Sequence, residues 1–334
     1  MNSAKRILFA ASDPGGAKAI LPVVRELLKL GYGAEGILEG PARDIFSEDM
    51  IPFLDASGLS DDGLQEAVEK FHPNVLLAGT SVGDSVDKKI LARLKGNVSS
   101  VYVLDFWNSY TRRFSRVNGD LAYLPTAICV MDENARIEMM SEGFPPGSLK
   151  VTGNPHFEHF TDGISRNGEE SSRVIFISQP LRSDGNTTYG FDEYDCLKEV
   201  IARLPASLNL RVRLHPRDDA HKYDAFLSDR VQIASEPSLE KALSKSGLVV
   251  GMFSAVLMQA ALAGKPAISF EPGLMGKDPL PSNALGITVR ARTADELDSL
   301  MRKYKEGAFP PAKDAGRLWP PGAAERIIAV IDSV

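Results

Sequence analysis

The sequence predicts an α/β protein of two domains, each a parallel sheet covered by helices on both faces. Short apolar runs alternate with helical stretches almost from end to end, the pattern of parallel strands joined by crossover helices. The chain has 334 residues, two domains at the common size of roughly 100–200 residues each. One polar stretch without periodicity, "FTDGISRNGEESS" at 160–172, interrupts the alternation. The expected division is therefore a first domain over 1–160, a linker over 161–172 and a second domain over 173–334.

In the first half, "RILFAA" (Arg6–Ala11) reads as a strand, and "AKAILPVVRELLKLGY" as an amphipathic helix ending at Gly31. "AEGIL", a short helical piece and the helix "DDGLQEAVEKF" lead to the strand "NVLLAG" (Asn74–Gly79). The helix "DKKILARL", the strand "VSSVYVLD", the run "TAICVM", the helix "DENARIEMMSEGF" and "LKVTGNP" complete this half. The pattern restarts with the strand "RVIFIS", a Gly/Asn/Thr loop, the helix "DEYDCLKEVIARL" and the strand "LNLRVRLHP". "YDAFL" and "VQIAS" precede the helix "LEKALSK" and the strand "LVVG". A buried-looking helix "AVLMQAALA", the strand "PAISF", "GITV" and the helices "ADELDSLMRKYKEG" and "GAAERIIAVIDSV" follow.

Composition narrows the function. A net charge of −6 lacks the basic face that nucleic-acid binding needs. Cys129 and Cys196 stand far apart in apolar or helical settings, which favours reduced structural thiols over a disulfide or a metal site. The N-terminal apolar run is broken by Ser12 and Asp13, unlike a signal peptide. No window approaches the roughly 20 apolar residues of a membrane span. A cytoplasmic location is expected, with at most peripheral membrane association.

In parallel α/β domains the strand-to-helix loops face the ligand, and six of them carry candidate residues. "ASDPGGAKA" brings Asp13, Gly15 and Gly16 to a turn opening a helix, where N–H groups can hold an anion or a sugar hydroxyl, or where Asp13 simply caps. "GTSVGDS" offers Thr80, Ser81 and Asp84, side chains equally suited to capping. "LDFWNSYTRRF" places Asp105 at a strand end before Trp107, Asn108 and Tyr110. The aromatics and polar groups suit a sugar ring, and the carboxylate suits a general base; packing is the competing use. In "RVRLHPRDD", Pro216 stops the strand after His215, which with Arg217 nearby could donate to a phosphate oxygen. His156 and His159 lack the carboxylates or cysteines that would complete a metal site. In "VVGMFSAVLMQAALAGKPAISFEPG", Gly251, Phe253 and Ser254 form a turn at a helix N-terminus suited to phosphate. Gln259 is the one polar side chain of that apolar helix, so it either bonds backbone or faces a ligand. The loop "GNTTYG" is either a diphosphate contact or a surface loop.

These motifs, in this order, resemble the C-terminal domain of GT-B glycosyltransferases and UDP-N-acetylglucosamine 2-epimerases. The order is "VTGNP" at the junction, "LHPRD" at a strand end, then a small-residue turn, an apolar helix and "GKP". The resemblance implies two Rossmann-like domains facing a central cleft. In that group the helix before Gly-x-Pro carries a ribose-binding carboxylate, and Gln259 stands in its place here. The "HP" pair followed by a serine also resembles bacterial sialyltransferases and capsule-type transferases, in which both positions serve the donor phosphates. "LDFWNSYTRRF" and "VMDENARIEMMSEGF…VTGNP" resemble transferase-like proteins of surface-polysaccharide clusters.

The expected function is transfer of a sugar from a nucleotide-activated donor to a saccharide or lipid-linked acceptor. His215 and Ser254 would serve the phosphate, Gln259 and Glu271 the ribose or sugar, and Asp105 or Asp13 the acceptor hydroxyl. The nucleotide-sugar enters as substrate, and neither a cofactor nor a metal is expected. No nucleic-acid partner is expected; a homodimer is compatible. The alternatives are a nucleotide-sugar epimerase or hydrolase, and a binding protein without turnover, the latter suggested by Gln259.

Overall fold

The computed structural model describes residues 5–117, 119–165, 170–183, 185, 187–312 and 320–334. Residues 166–169 of the expected linker and Asn186 of the "GNTTYG" loop lie outside them. The chain divides into two compact units, Met1–His159 with Gly316–Val334, and Phe160–Ala315.

The first unit holds seven strands: β1 (Arg6–Ala11), β2 (Gly33–Leu38), β3 (Phe53–Asp55), β4 (Val75–Gly79), β5 (Ser99–Val103), β6 (Ala127–Val130) and β7 (Leu149–Val151). They lie in the order β3-β2-β1-β4-β5-β6-β7, every pair parallel. Central strands β4 and β6 are buried at every position, as a sheet covered on both faces requires. The strand order reverses between β1 and β4, the switch point at which α/β sheets open a crevice.

The second unit repeats the plan with β8 (Glu170–Ile177), β9 (Asn209–Arg213), β10 (Val231–Ile233), β11 (Ser246–Gly251), β12 (Ala267–Phe270) and β13 (Val289–Ala291). Their order is β10-β9-β8-β11-β12-β13, again all parallel, with the switch point between β8 and β11. Two parallel α/β sheets are thus what the alternation of elements anticipates. Differences are local. β3 is a three-residue edge strand that the sequence does not announce, β8 starts inside the expected linker, and β13 begins where "GITV" ends.

Helix Pro14–Lys29 shows how sequence sets an element. Pro14 occupies its first turn, where a missing N–H costs nothing. Ile20, Val23, Val24 and Leu27, spaced i, i+3, i+4, i+7, are fully buried against the sheet. The helix starts earlier than "AKAIL", so Gly15 and Gly16 belong to its first turn and not to the loop before it. Lys265 explains "GKP" in similar terms: its buried ammonium donates to the carbonyls of Ser244 (3.3 Å) and Ser246 (2.9 Å), where helix Leu239–Lys245 ends.

The C-terminal helix Ala323–Ser333 departs from the expected division, because it belongs to the first unit. Its isoleucines Ile327, Ile328 and Ile331 join the core built on Val23, Val24 and Leu27. Glu158 accepts from the N–H groups of Gly322 (3.2 Å) and Ala323 (2.7 Å), a carboxylate at a helix start. Arg326 donates to the Thr152 carbonyl at 2.7 Å. Lys5 donates to three carbonyls at the far end, those of Ile331, Asp332 and Val334. An amphipathic helix needs an apolar surface, and the first sheet supplies it.

Replacing Ile327 by alanine is expected to cost about 2–5 kcal/mol of stability. Ser333→Ala on the exposed face is expected to stay within about 0.5 kcal/mol. Chemical denaturation of the two variants checks the difference.

Candidate functional site

In the first unit the carboxyl ends of β1, β4 and β5 gather Asp13, Thr80, Ser81 and Asp105. Asp105 Oδ1 accepts from Thr80 Oγ1 (2.6 Å) and from Arg113 Nη1 (2.5 Å). Arg113 is 7% exposed and also donates to the Asn108 carbonyl at 3.0 Å. The other oxygen of Asp105 lies directly over Gly15, where any Cβ would collide with it. At Gly16 a Cβ would stand 2.6 Å from the Thr80 carbonyl oxygen. The two glycines therefore let the helix N-terminus touch the β4 and β5 loops, a close approach that no side chain permits. Asp13 does not cap its helix; its Oδ2 accepts from the Val82 N–H at 2.9 Å and ties the β1 loop to the β4 loop.

Trp107, Tyr110 and Ser81, expected in the sugar or acceptor cleft, are buried. Trp107 is 4% exposed, donates from Nε1 to Asp132 Oδ2 (2.8 Å) and stacks on Phe157 at 5.3 Å. Tyr110 is 1% exposed and donates to Glu138 at 2.7 Å. Ser81 is buried, its hydroxyl 3.4 Å from the Asp13 N–H. Rings of this size contribute most when fully desolvated, and this loop uses them as core. Asn108 remains exposed, and Asp13, Gly15 and Asp105 are half-buried. Beneath the β4 loop the Asp87 carboxyl is fully buried and pushed up to about 6 by that burial. Lys88, held by the Gly83 carbonyl (2.6 Å), is lowered by burial. His156 is lowered to about 4 by burial, with Lys18 and His159 adding repulsion, so it is a neutral packing residue. Burial likewise pushes the Cys129 thiol up to about 12, leaving it inert.

In the second unit the switch point brings Gln179, at the end of β8, against the turn after β11. Gln179 Oε1 accepts the Phe253 N–H at 3.0 Å. Ser254 caps helix Ala255–Leu262 through Val256 N–H at 3.3 Å. Part of the expected phosphate cradle is thus engaged internally, while Phe253, Ser254 and Ala255 stay half-buried at the surface. The Phe253 ring packs on Tyr189 of the "GNTTYG" loop at 4.7 Å. Gly251 is buried under Ile177, where a Cβ would be tight at 3.3 Å.

His215 is half-buried beyond the end of β9, with Arg217 exposed beside it. Its Nδ1 accepts the Arg217 N–H at 3.2 Å. In the neutral ring the proton therefore resides on Nε2, a hydrogen-bond donor. Asp218 accepts the His215 N–H at 2.9 Å.

Gln259 and Glu271 are corrected as direct ligand contacts. Gln259 is 8% exposed and donates from Nε2 to the Phe160 carbonyl at 2.7 Å. Glu271 is fully buried, with Arg290 Nε 2.6 Å from Oε2 but not aligned as a hydrogen bond. Arg290 also pairs with Asp278 at 3.2 Å, and Asn283 ties Asp278 to Ser269. Burial, then the Asp278 charge, pushes the Glu271 carboxyl up to about 7 against the pull of Arg290. Glu271 supports the β12–β13 loops from below. Among the described residues no group of three or more His, Cys, Asp or Glu is arranged to hold a metal ion. No described helix is long and apolar enough to cross a membrane.

Sequence reasoning missed Arg113, Asp218 and Arg290 as site residues. The pair Arg112–Arg113 and the i+3 aspartate of "HPRD" are visible signals, but neither shows which charge becomes buried.

No protein-family model matches the chain, and none of the curated proteins does. Among solved structures, the UDP-GlcNAc 2-epimerase of Methanocaldococcus jannaschii superposes with a TM-score of 0.70 at 13% identity, covering 98% of this chain and 100% of its own. The chain has the fold of UDP-N-acetylglucosamine 2-epimerases and GT-B glycosyltransferases. The Neisseria meningitidis UDP-GlcNAc 2-epimerase bound to UDP-GlcNAc matches at 0.66 and 14% identity, over 98% and 100%. MurG of Acinetobacter baumannii matches at 0.60 and 12% identity, over 98% and 100%.

The Glu271 carboxyl titrates from its usual 4.5 up to about 7 on folding. Its contribution to stability is then fully present below about pH 4.5 and lost as pH rises through about 7. Tm of the wild type relative to Glu271→Gln is expected to fall across that window and stay flat above it. A difference that ignores pH would show that Arg290 balances burial.

Proposed function

We propose that the protein is an enzyme acting on a nucleotide-activated sugar, whose phosphate is held by the second unit. The observation that carries this is His215, a half-buried imidazole whose Nδ1 is occupied by a backbone N–H and whose proton is thereby kept on Nε2. Such a donor stabilises negative charge as it develops on a departing phosphate oxygen. Arg217 and the half-buried turn Phe253–Ser254, at the N-terminus of an eight-residue helix, add positive potential at the same edge of the sheet.

In glycosyl transfer the bond between the anomeric carbon and the phosphate oxygen breaks, and its electron pair leaves with the nucleotide. An acceptor hydroxyl supplies the new bond and surrenders its proton. Asp105 is the base assigned to that proton, because one of its oxygens is anchored by Arg113 and Thr80 while the other faces the Gly15 backbone. Asp13 is the lesser choice, since its carboxylate is engaged by Val82. The acceptor class, a saccharide or lipid-linked sugar, rests on the resemblance to polysaccharide-cluster proteins.

A second reading, nucleotide-sugar epimerisation or hydrolysis, is favoured by the higher TM-scores of the two 2-epimerases, 0.70 and 0.66 against 0.60 for MurG. Both readings need the nucleotide to depart and share His215. They part at the acceptor: conversion of UDP-GlcNAc or another sugar nucleotide without any acceptor establishes the second reading, and strict dependence on an acceptor establishes the first.

His215→Ala is expected to lower turnover about a hundredfold or more, with stability within about 1 kcal/mol of wild type. An unchanged rate in steady-state assays would remove His215 from the reaction. Sugar nucleotides at a hundred times Kd are expected to stabilise the fold by about 2.7 kcal/mol, read as a thermal shift.

A further inference from the structure

Beneath His215 lies a set of buried charged and polar groups that nothing above assigns. Asp218 Oδ2 accepts the His215 N–H (2.9 Å) and the Ser178 hydroxyl (2.6 Å), while Oδ1 accepts from Lys222 Nζ (2.7 Å). Because the Ser178 proton goes to Asp218, the fully buried Tyr223 hydroxyl, 2.7 Å from Ser178 Oγ, is the donor in that second contact. Lys222 also pairs with Glu193 at 2.8 Å, and Glu193 accepts the Arg182 N–H at 3.0 Å. The Asp218, Glu193 and Lys222 side chains are 2, 1 and 8% exposed.

The set connects three loops at one edge of the sheet: both ends of the connection after β8, at Ser178–Gln179 and at Glu193 where the next α-helix starts, the His215 loop after β9 and, through Gln179, the Phe253 turn after β11. Burying two carboxylates and an ammonium is a poor route to stability, since apolar residues of the same volume generally do as well or better. What the charges supply is fixed geometry. A neutral side chain could accept the His215 N–H; only a carboxylate takes three donors from three directions at once. With its own N–H and the Arg217 N–H both committed, the histidine backbone and ring share one arrangement.

We propose that Asp218 is the positioning residue of His215, holding the turn that keeps the imidazole proton on Nε2. Lys222 and Glu193 hold Asp218 in turn, and Tyr223 orients the Ser178 hydroxyl towards it. The role in turnover rests on the functional reading above, whereas the tautomer does not.

The test uses the full chain labelled with ¹⁵N-histidine at mildly alkaline pH, where the imidazoles are neutral, with His215→Gln assigning the resonance among the five histidines. Wild type is expected to carry the proton on Nε2, Asp218→Asn to keep it there through its amide oxygen, and Asp218→Ala to show a mixture of tautomers. If the alanine variant does not fold, the triple variant Asp218→Leu, Lys222→Met and Glu193→Gln, which removes all three buried charges and leaves an acceptor for the Arg182 N–H, is read in its place. The same variants are expected to lose about tenfold to a hundredfold in kcat with KM within about threefold, and Asp218→Asn to recover most of it. An unaltered tautomer in the variants lacking an acceptor at 218 overturns the proposal. Absence of turnover in wild type itself would overturn the functional reading while leaving the tautomer result to decide this one.

Discussion

A carboxylate taken out of water must be met by donors, and that requirement organises the ligand-facing edge of both sheets. Asp105 meets Arg113 and Thr80, Asp218 meets Lys222, Ser178 and the His215 N–H, and Glu271 meets Arg290. Each carboxylate follows on the carboxyl end of a parallel strand, β5 for Asp105, β9 for Asp218 and β12 for Glu271. The sheets supply rigid platforms, and the carboxylates draw the next loops into defined positions. Glu271 is the least well met, and burial pushes its carboxyl up to about 7.

The fold was largely legible because parallel strands buried on both faces leave an unmistakable apolar alternation. What escaped has physical causes. β3 has three residues and one neighbouring strand, too short for a pattern. Helix Ala323–Ser333 shows an apolar stripe in sequence, but a stripe does not name the sheet that receives it. Pro14 begins a helix as readily as it ends a strand, so the two glycines looked like a loop.

The candidate site was legible in position but not in burial. Strand ends marked Asp13, Asp105, His215 and Ser254 because a parallel sheet presents its carboxyl ends to ligand. Which neighbours turn inward is settled by packing over many residues. Trp107 and Tyr110 look like a sugar platform in sequence, yet Phe157 and Glu138, about 50 and 28 residues away, provide the ring partner and the acceptor that bury them. Arg112 and Arg113 are adjacent and chemically identical; only the second points at Asp105. Adjacency says nothing of which one the core will neutralise.

Gln259 shows how a departure from a resembling group can have a local cause. Its amide donates to the Phe160 carbonyl at 2.7 Å, at the point where the chain enters the second unit. A carboxylate there would set acceptor against acceptor in a nearly dry environment, at the cost of an unsatisfied carbonyl. Ser244 acts alongside it, accepting the Ser165 N–H at 2.9 Å and reaching the Gly163 carbonyl at 3.3 Å. The segment 160–165 is thus held by side chains from two helices of its own unit. The glutamine is required by that attachment whether or not the protein turns over substrate, so its presence does not argue for a lost activity. The weight of the functional question moves from Gln259 to His215 and the buried charges that hold it.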